Sequence, residues 1–169
     1  RDWVGDLPDD LRKSLLNYGR TYAGSEAPTG PLLGAVILLA EHYDIERGKA
    51  DVLVQDESSR LSGMVLGSDV TVQTRYGPST VPLADVAMLL GGAGIDRPMQ
   101  VHLRNGEILA GTLAWKEMVL ETDAGLKVPL SAAQLNVLFM HVESDDGKPP
   151  AGAVVLLRTH LGDRLAVAP

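Results

Sequence analysis

The chain has no cysteine and almost no aromatic residues: 4% of 169 positions, with a single Phe and two Trp. The missing thiols exclude disulfides, thiol catalysis and cysteine-ligated metals. Scarce aromatics leave the core to Leu, Val, Ile and Ala, and leave little from which to build a stacking platform for bases. Basic runs are also absent, none being longer than Arg12-Lys13, and the formal net charge is -7. That balance disfavours a phosphate-binding surface, so a nucleic-acid partner is not expected. The longest apolar run, Leu32 to Ala40, contains Gly34 and is too short to span a bilayer. There is no initiator Met at Arg1 and no basic n-region, so the acidic chain reads as a fragment of a larger protein, and its compartment is left open.

What is present is ordinary globular material, 45% hydrophobic and 22% charged, enough for a sizeable core. One pattern stands out. Gly63 to Gly77, followed by Val81-Pro82-Leu83, recurs about 48 residues later as Gly111 to Gly125, followed by Val128-Pro129-Leu130. A period of that length marks one supersecondary unit. The residues that recur, among them Gly63 with Gly111, Thr74 with Thr122, Gly77 with Gly125 and Pro82 with Pro129, set backbone geometry.

The first 49 residues read as a helical segment. Pro8 with Asp9 and Asp10 opens a helix carrying Leu11, Leu15, Tyr18 and Tyr22 on one face. Pro31 opens a second, in which Leu32, Val36, Leu39 and Tyr43 form a stripe widened by Leu33, Ile37 and Ala40, with Gly48 placed to stop it. From about Ala50 the apolar period shortens from about 3.6 to about 2 residues, as in Val52/Val54, Val70/Val72, Val101/Leu103 and Met118/Leu120. Thr74-Arg-Tyr-Gly77 and Thr122-Asp-Ala-Gly125 are tight turns that need positive φ at Gly. Pro82 and Pro129, unable to donate to a ladder, place their strands at a sheet edge or bulge. The tail Leu135 to Val142 favours a strand. A third frame, Leu157-Arg-Thr159-His-Leu-Gly162, begins near the end, with Leu165 and Val167 starting its returning arm.

The expected fold is therefore α+β: an N-terminal helical pair, then a mainly antiparallel β region of two related small-barrel or meander repeats and the start of a third. The segments are 1-49 (helical), 50-97 (repeat one), 98-147 (repeat two) and 148-169 (partial third repeat). Gly- and Pro-rich stretches at 91–98 and 144–152 serve as connectors.

Val101-His-Leu-Arg-Asn-Gly106, Gly111-Thr-Leu113 and Met118-Val-Leu120 together resemble the opening strands of Sm-like small barrels, over roughly one repeat. That resemblance implies a nucleic-acid-binding module in which Arg60, Arg75, Arg97, Arg104 and Lys116 share one face. The family's RNA-contacting residues have no counterpart at Trp115, Lys116 and Glu117 or around Val137.

Candidate chemistry is thin. His42, Asp44 and Glu46 point in different directions on a helix and read as a solvated C-terminal turn. His141 and Glu143 share a face of an extended segment, but two ligands make no metal site, and nothing brings His102 or His160 to them. Asp145-Asp146-Gly147 lacks the alternating acids and the distal Glu of a calcium loop. Asp123-Ala-Gly125 is superficially similar to an aspartic-protease triplet, yet the counterpart of its Asp in the first copy is Arg75. Leu90-Gly-Gly-Ala-Gly94 lacks the Lys-Ser or Lys-Thr of a phosphate loop, and no Ser sits in a nucleophile elbow. Trp115 and Lys116 lie where the copies differ most, Trp115 either covering a barrel end or anchoring a partner. No catalytic, cofactor-binding or metal residue is assigned, and no cofactor is expected. The function expected is a non-catalytic structural or protein-interaction module, partnered by another protein or by itself through β edges, with an Sm-like nucleic-acid module as the alternative and an enzyme third.

Overall fold

The computed structural model describes residues 33–56, 58–92, 98–115, 117–144, 146–147, 155–158 and 163–167. The helix expected over Pro8 to Tyr22 lies outside these residues. The second is α1 (Gly34–His42), with Val36, Leu39 and Ala40 buried. Ile37, expected to widen the buried stripe, is instead 44% exposed. Nor does Gly48 stop the helix. Asp44, with φ 51, takes the left-handed position, while Ile45 N–H donates to the Ala40 carbonyl and Asp44 N–H to that of Glu41. This pair of bonds is a Schellman motif with Asp where Gly is usual.

Twelve strands follow among the described residues: β1 (Asp51–Val54), β2 (Arg60–Leu66), β3 (Asp69–Thr74), β4 (Gly77–Pro82), β5 (Val86–Leu90), β6 (Met99–Leu103), β7 (Ile108–Ala114), β8 (Val119–Glu121), β9 (Lys127–Pro129), β10 (Val137–Phe139), β11 (Val155–Arg158) and β12 (Arg164–Val167). Single 3₁₀ turns at Leu83–Asp85 and Ala132–Gln134 precede β5 and β10. Every ladder between these strands is antiparallel. The path β11-β12-β7-β6-β5-β10-β1-β2-β8-β9 curls as a half-barrel, and β3, carrying β4, branches from β7. No helix among the described residues is long and apolar enough to cross a membrane.

The ladders map onto themselves when β1 to β5 are exchanged with β6 to β10. β1–β2 answers to β6–β7, β3–β4 to β8–β9, β10–β1 to β5–β6, and β2–β8 to β7–β3, while β5–β10 answers to itself around Leu89↔Leu138. The two stretches are thus interleaved, where small-barrel or meander repeats packed on one another were expected. β2 leaves β1 at Gly63 and takes up β8 at Met64; β7 leaves β6 at Gly111 and takes up β3 at Thr112. The glycines recur because the chains cross there. A Cβ on Gly63 would lie 2.2 Å from the Glu121 carbonyl oxygen, and one on Gly111 would lie 2.2 Å from that of Gln73.

The turn glycines do adopt positive φ, 121° at Gly77 and 78° at Gly125. Their loops differ in length, since Thr74 pairs with Gly77 whereas Thr122 N–H reaches the Leu126 carbonyl. Val81-Pro82-Leu83 and Val128-Pro129-Leu130 both close a hairpin base, where Leu83 N–H donates to the Ser68 carbonyl and Leu130 N–H to that of Met118. The second hairpin closes one ladder step earlier, so the shared tripeptide is out of register with the strands.

These bonds also explain the prolines. Bonded and non-bonded pairs alternate in an antiparallel ladder, which makes Asp69↔Pro82, Gln73↔Pro78 and Val119↔Pro129 non-bonded pairs. The N–H that each proline lacks would have pointed out of the sheet. β4 and β9 are edge strands among the described residues, as the prolines require.

Two apolar clusters fill the described part of the structure. The larger joins Leu53, Leu89, Val101 and Leu138 to Val65, Val70, Val72, Leu113, Met118 and Leu120 inside the curl. On the other face of β1, β5 and β10, α1 covers Val54, Met88, Val137 and Phe139. A fully buried Leu or Val contributes about 1.5–3 kcal/mol, so the central strands are the stable heart of the molecule.

Candidate functional site

The densest polar constellation among the described residues lies where β1 starts and β10 ends. Asp51 heads β1 with a side chain only 1% exposed. Its Oδ2 accepts from Val65 N–H at 2.7 Å. Its Oδ1 accepts from His141 N–H and from His141 Nδ1, each at 2.7 Å. The other ring nitrogen, Nε2, lies 2.8 Å from Glu143 Oε1. Two carboxylates beside its ring nitrogens favour the protonated form of the imidazole. Burial alone would lower the His141 pKa, but the hydrogen bonds to Asp51 and Glu143 outweigh it and raise it.

A second layer closes on this one. Arg104, at the end of β6, donates through Nε to the Ala84 carbonyl (2.6 Å) and through Nη1 to the His141 carbonyl (2.9 Å) and to Asp146 Oδ1. Arg47 donates to the Met140 carbonyl and, at 3.0 Å, to Asp146 Oδ2. Gly147 N–H returns to the Arg104 carbonyl. Asp51, Glu143 and Asp146 thus face His141, Arg104 and Arg47, three carboxylates against one histidine and two arginines. The set ties the segment after α1, the head of β1, the end of β6 and the chain after β10 into a clasp.

The spacing of His141 and Glu143 places them on one face, and the structure brings them together. Their partners Asp51, Arg47 and Arg104 were not foreseen, and Asp146, expected only as a turn residue, bridges two arginines. The available signal was an acid at the head of an apolar strand, Asp51, where the second copy has Met99. Among the described residues no group of three or more His, Asp or Glu is arranged to hold a metal ion. His102 is buried elsewhere, its Nε2–H donating to Gln100 Oε1 at 3.0 Å; His160 lies outside the described residues.

No family model, curated protein or solved structure matches this chain.

The remaining candidates are dispersed. His42, edge-on to the Tyr43 ring, and Asp44 and Glu46 are exposed and do not converge. Asp123 sits exposed in the β8–β9 turn. Gly91 donates to the Asn136 carbonyl, so the start of the glycine-rich stretch is packed backbone. Trp115 is half-buried against the larger cluster, with its Nε1–H on the Leu130 carbonyl at 3.0 Å. Of the five basic residues that an Sm-like face would use, Arg97 and Lys116 lie outside the described residues. Arg104 is internal at 2% exposure, and Arg60 reaches only the Asp44 carbonyl.

Proposed function

We propose that this chain is a non-catalytic structural or protein-interaction module of a larger protein, made of two related β units and, in β11 and β12, the beginning of a third. The observation that supports it is how the acceptors and the imidazole of the clasp are used, Arg104 Nη2 being the buried donor left without a partner among the described residues. Asp51 and His141 spend their reactive atoms on one another and on Val65 and Glu143. A general base or nucleophile needs an atom free for substrate, whereas Asp51 and His141 are used to hold four segments in one arrangement. Partner binding along β4 and β9 has little to work with, because prolines leave Thr80 and Lys127 as the outward amide donors of those strands.

Asp51→Asn tests the reading. An amide nitrogen cannot accept from Val65 N–H or from His141, and breaking a buried pair costs about 3 kcal/mol or more. Urea denaturation is expected to show that loss with an unchanged far-UV spectrum. Unchanged stability would remove the scaffold role. The Sm-like alternative has Arg104 against it; salt-dependent capture of an RNA oligomer would favour it instead.

A further inference from the structure

Exchanging the two halves of the sheet makes β2 and β7 equivalent, with Arg60, Leu61 and Ser62 in the places of Ile108, Leu109 and Ala110. Gln55 N–H donates to the Ser59 carbonyl and Leu103 N–H to that of Glu107. Bonded and non-bonded pairs alternate from there, which makes Val54↔Arg60, Val52↔Ser62, His102↔Ile108 and Gln100↔Ala110 non-bonded pairs. The backbone N–H and C=O groups of Arg60 and Ser62 therefore point away from β1, and those of Ile108 and Ala110 away from β6.

On β7 that far edge is occupied. β12 pairs with it through Arg164↔Ile108, Asp163 Oδ1 accepts from Ala110 N–H at 2.7 Å, and Leu165 packs against the larger cluster. Leu109 and Ala110 are buried. On β2 no strand among the described residues takes the equivalent place. Leu61 is only half-buried there, and Arg60 and Ser62 are exposed. Nor is this stretch blunted: β4 and β9 carry prolines at outward positions, and Arg60-Leu61-Ser62 has none.

β12 shows how such an edge is filled, and the difference between the halves selects the occupant. A strand laid on β2 in the register of β12 brings an Asp to Ser62 N–H, its next residue opposite Arg60, and an apolar third residue to the larger cluster, against which Leu61 already packs. The residue opposite Arg60 shares its face, where an acid is favoured and a base is opposed. The β12 of a second copy would bring Arg164 to that place, so it is the wrong strand. We infer that the open edge of β2 at Arg60 to Ser62 binds an extended segment of another protein that runs Asp, acid, apolar, adding it to the sheet as β12 is added to β7. The inference rests on the interaction-module reading for its biological sense, but the two fail separately. The Asp51→Asn result does not bear on this edge, and an edge that binds nothing leaves the clasp intact.

Two synthetic peptides of residues 163–167 are the probes, one of native sequence and one carrying Arg164→Glu, each titrated to millimolar concentration into the isotope-labelled whole chain and followed by amide NMR shifts. The Arg164→Glu peptide should shift the signals of Arg60, Leu61 and Ser62, and the native peptide should bind there about five-fold more weakly. Arg60→Glu should reverse that order. Ser62→Pro should abolish binding of both at an unchanged melting temperature, since the N–H it removes points out of the sheet, as at Pro82; if that variant unfolds, Arg60→Glu, at an exposed position, decides. No shift at Arg60 to Ser62, shifts confined to Ile108 to Ala110 as when a peptide displaces β12, or a preference indifferent to Arg60→Glu overturns the inference.

Discussion

Gln100 and His102 sit on β6 at the positions that Val52 and Val54 hold on β1, opposite Leu90 and Met88 on β5. The second half therefore buries a polar pair where the first has a half-buried Val52 and a buried Val54. Burial and then the Arg164 charge push the His102 pKa down to about 3. The folded protein refuses a proton that the unfolded chain accepts near 6.5, so stability falls as pH drops below that value and goes on falling towards about 3. His141 works in the opposite sense: its pKa is raised, so its contribution is complete below the unfolded value and is lost as pH rises through the folded one. Replacing both Gln100→Val and His102→Val should flatten the acid limb of a denaturation-against-pH profile without loss at neutral pH. His102→Val alone strands the Gln100 amide and should cost about 1–3 kcal/mol. An unchanged acid limb in the double variant would place the sensitivity elsewhere.

At the scale of elements, the strands and turns were legible and the helix end was not. Alternation marked β3 and β6 by residues inside the curl, Val70/Val72 and Val101/Leu103, and β1 by Val52/Val54 on the opposite face, where Val54 packs under α1 while Leu53 points inside; the Thr-x-x-Gly frames marked turns that do require positive φ. α1 ends well before Gly48 would have stopped it, because Asp44 tolerates the left-handed conformation and Ile45 can bury itself against the core. Edge placement of the prolines was legible too, since a missing donor is a local property. Their use as a block follows from it. Pro78→Thr with Pro82→Val adds two outward donors to β4 and should leave the unfolding free energy within about 0.5 kcal/mol of the wild type. It should also make the protein prone to aggregation on concentration, read by light scattering. A variant as soluble as the wild type would show that the edge is protected by other means.

At the scale of the molecule, each half of the strand order completes the other. With β2 on β8 and β7 on β3, neither stretch buries its inward residues alone, and the protein should unfold in one transition, with calorimetric and van't Hoff enthalpies in agreement. Gly63→Ala and Gly111→Ala each drive a methyl group into backbone, so each should cost about 3 kcal/mol and shift that same transition. Two separable transitions, each sensitive to one glycine, would mean that the halves fold independently. The clasp belongs to this scale as well: Asp51 and His141 are far apart in the chain and meet because β1 pairs with β10.

By itself the sequence determined what depends on neighbours along the chain: the strand periods, the turn glycines, the donor-less prolines and the presence of a repeated unit. Which strands pair was decided only in three dimensions, because alternation specifies the inward face of a strand and carries no information about its partner. Whether Gly63 meets its own copy's backbone or the other's, and whether a lone Asp51 finds a histidine, follow from that choice. The recurrence of Gly63 and Gly111 was visible in the chain, but its cause, a carbonyl 2.2 Å from a Cβ that neither residue has, exists only where the two halves cross.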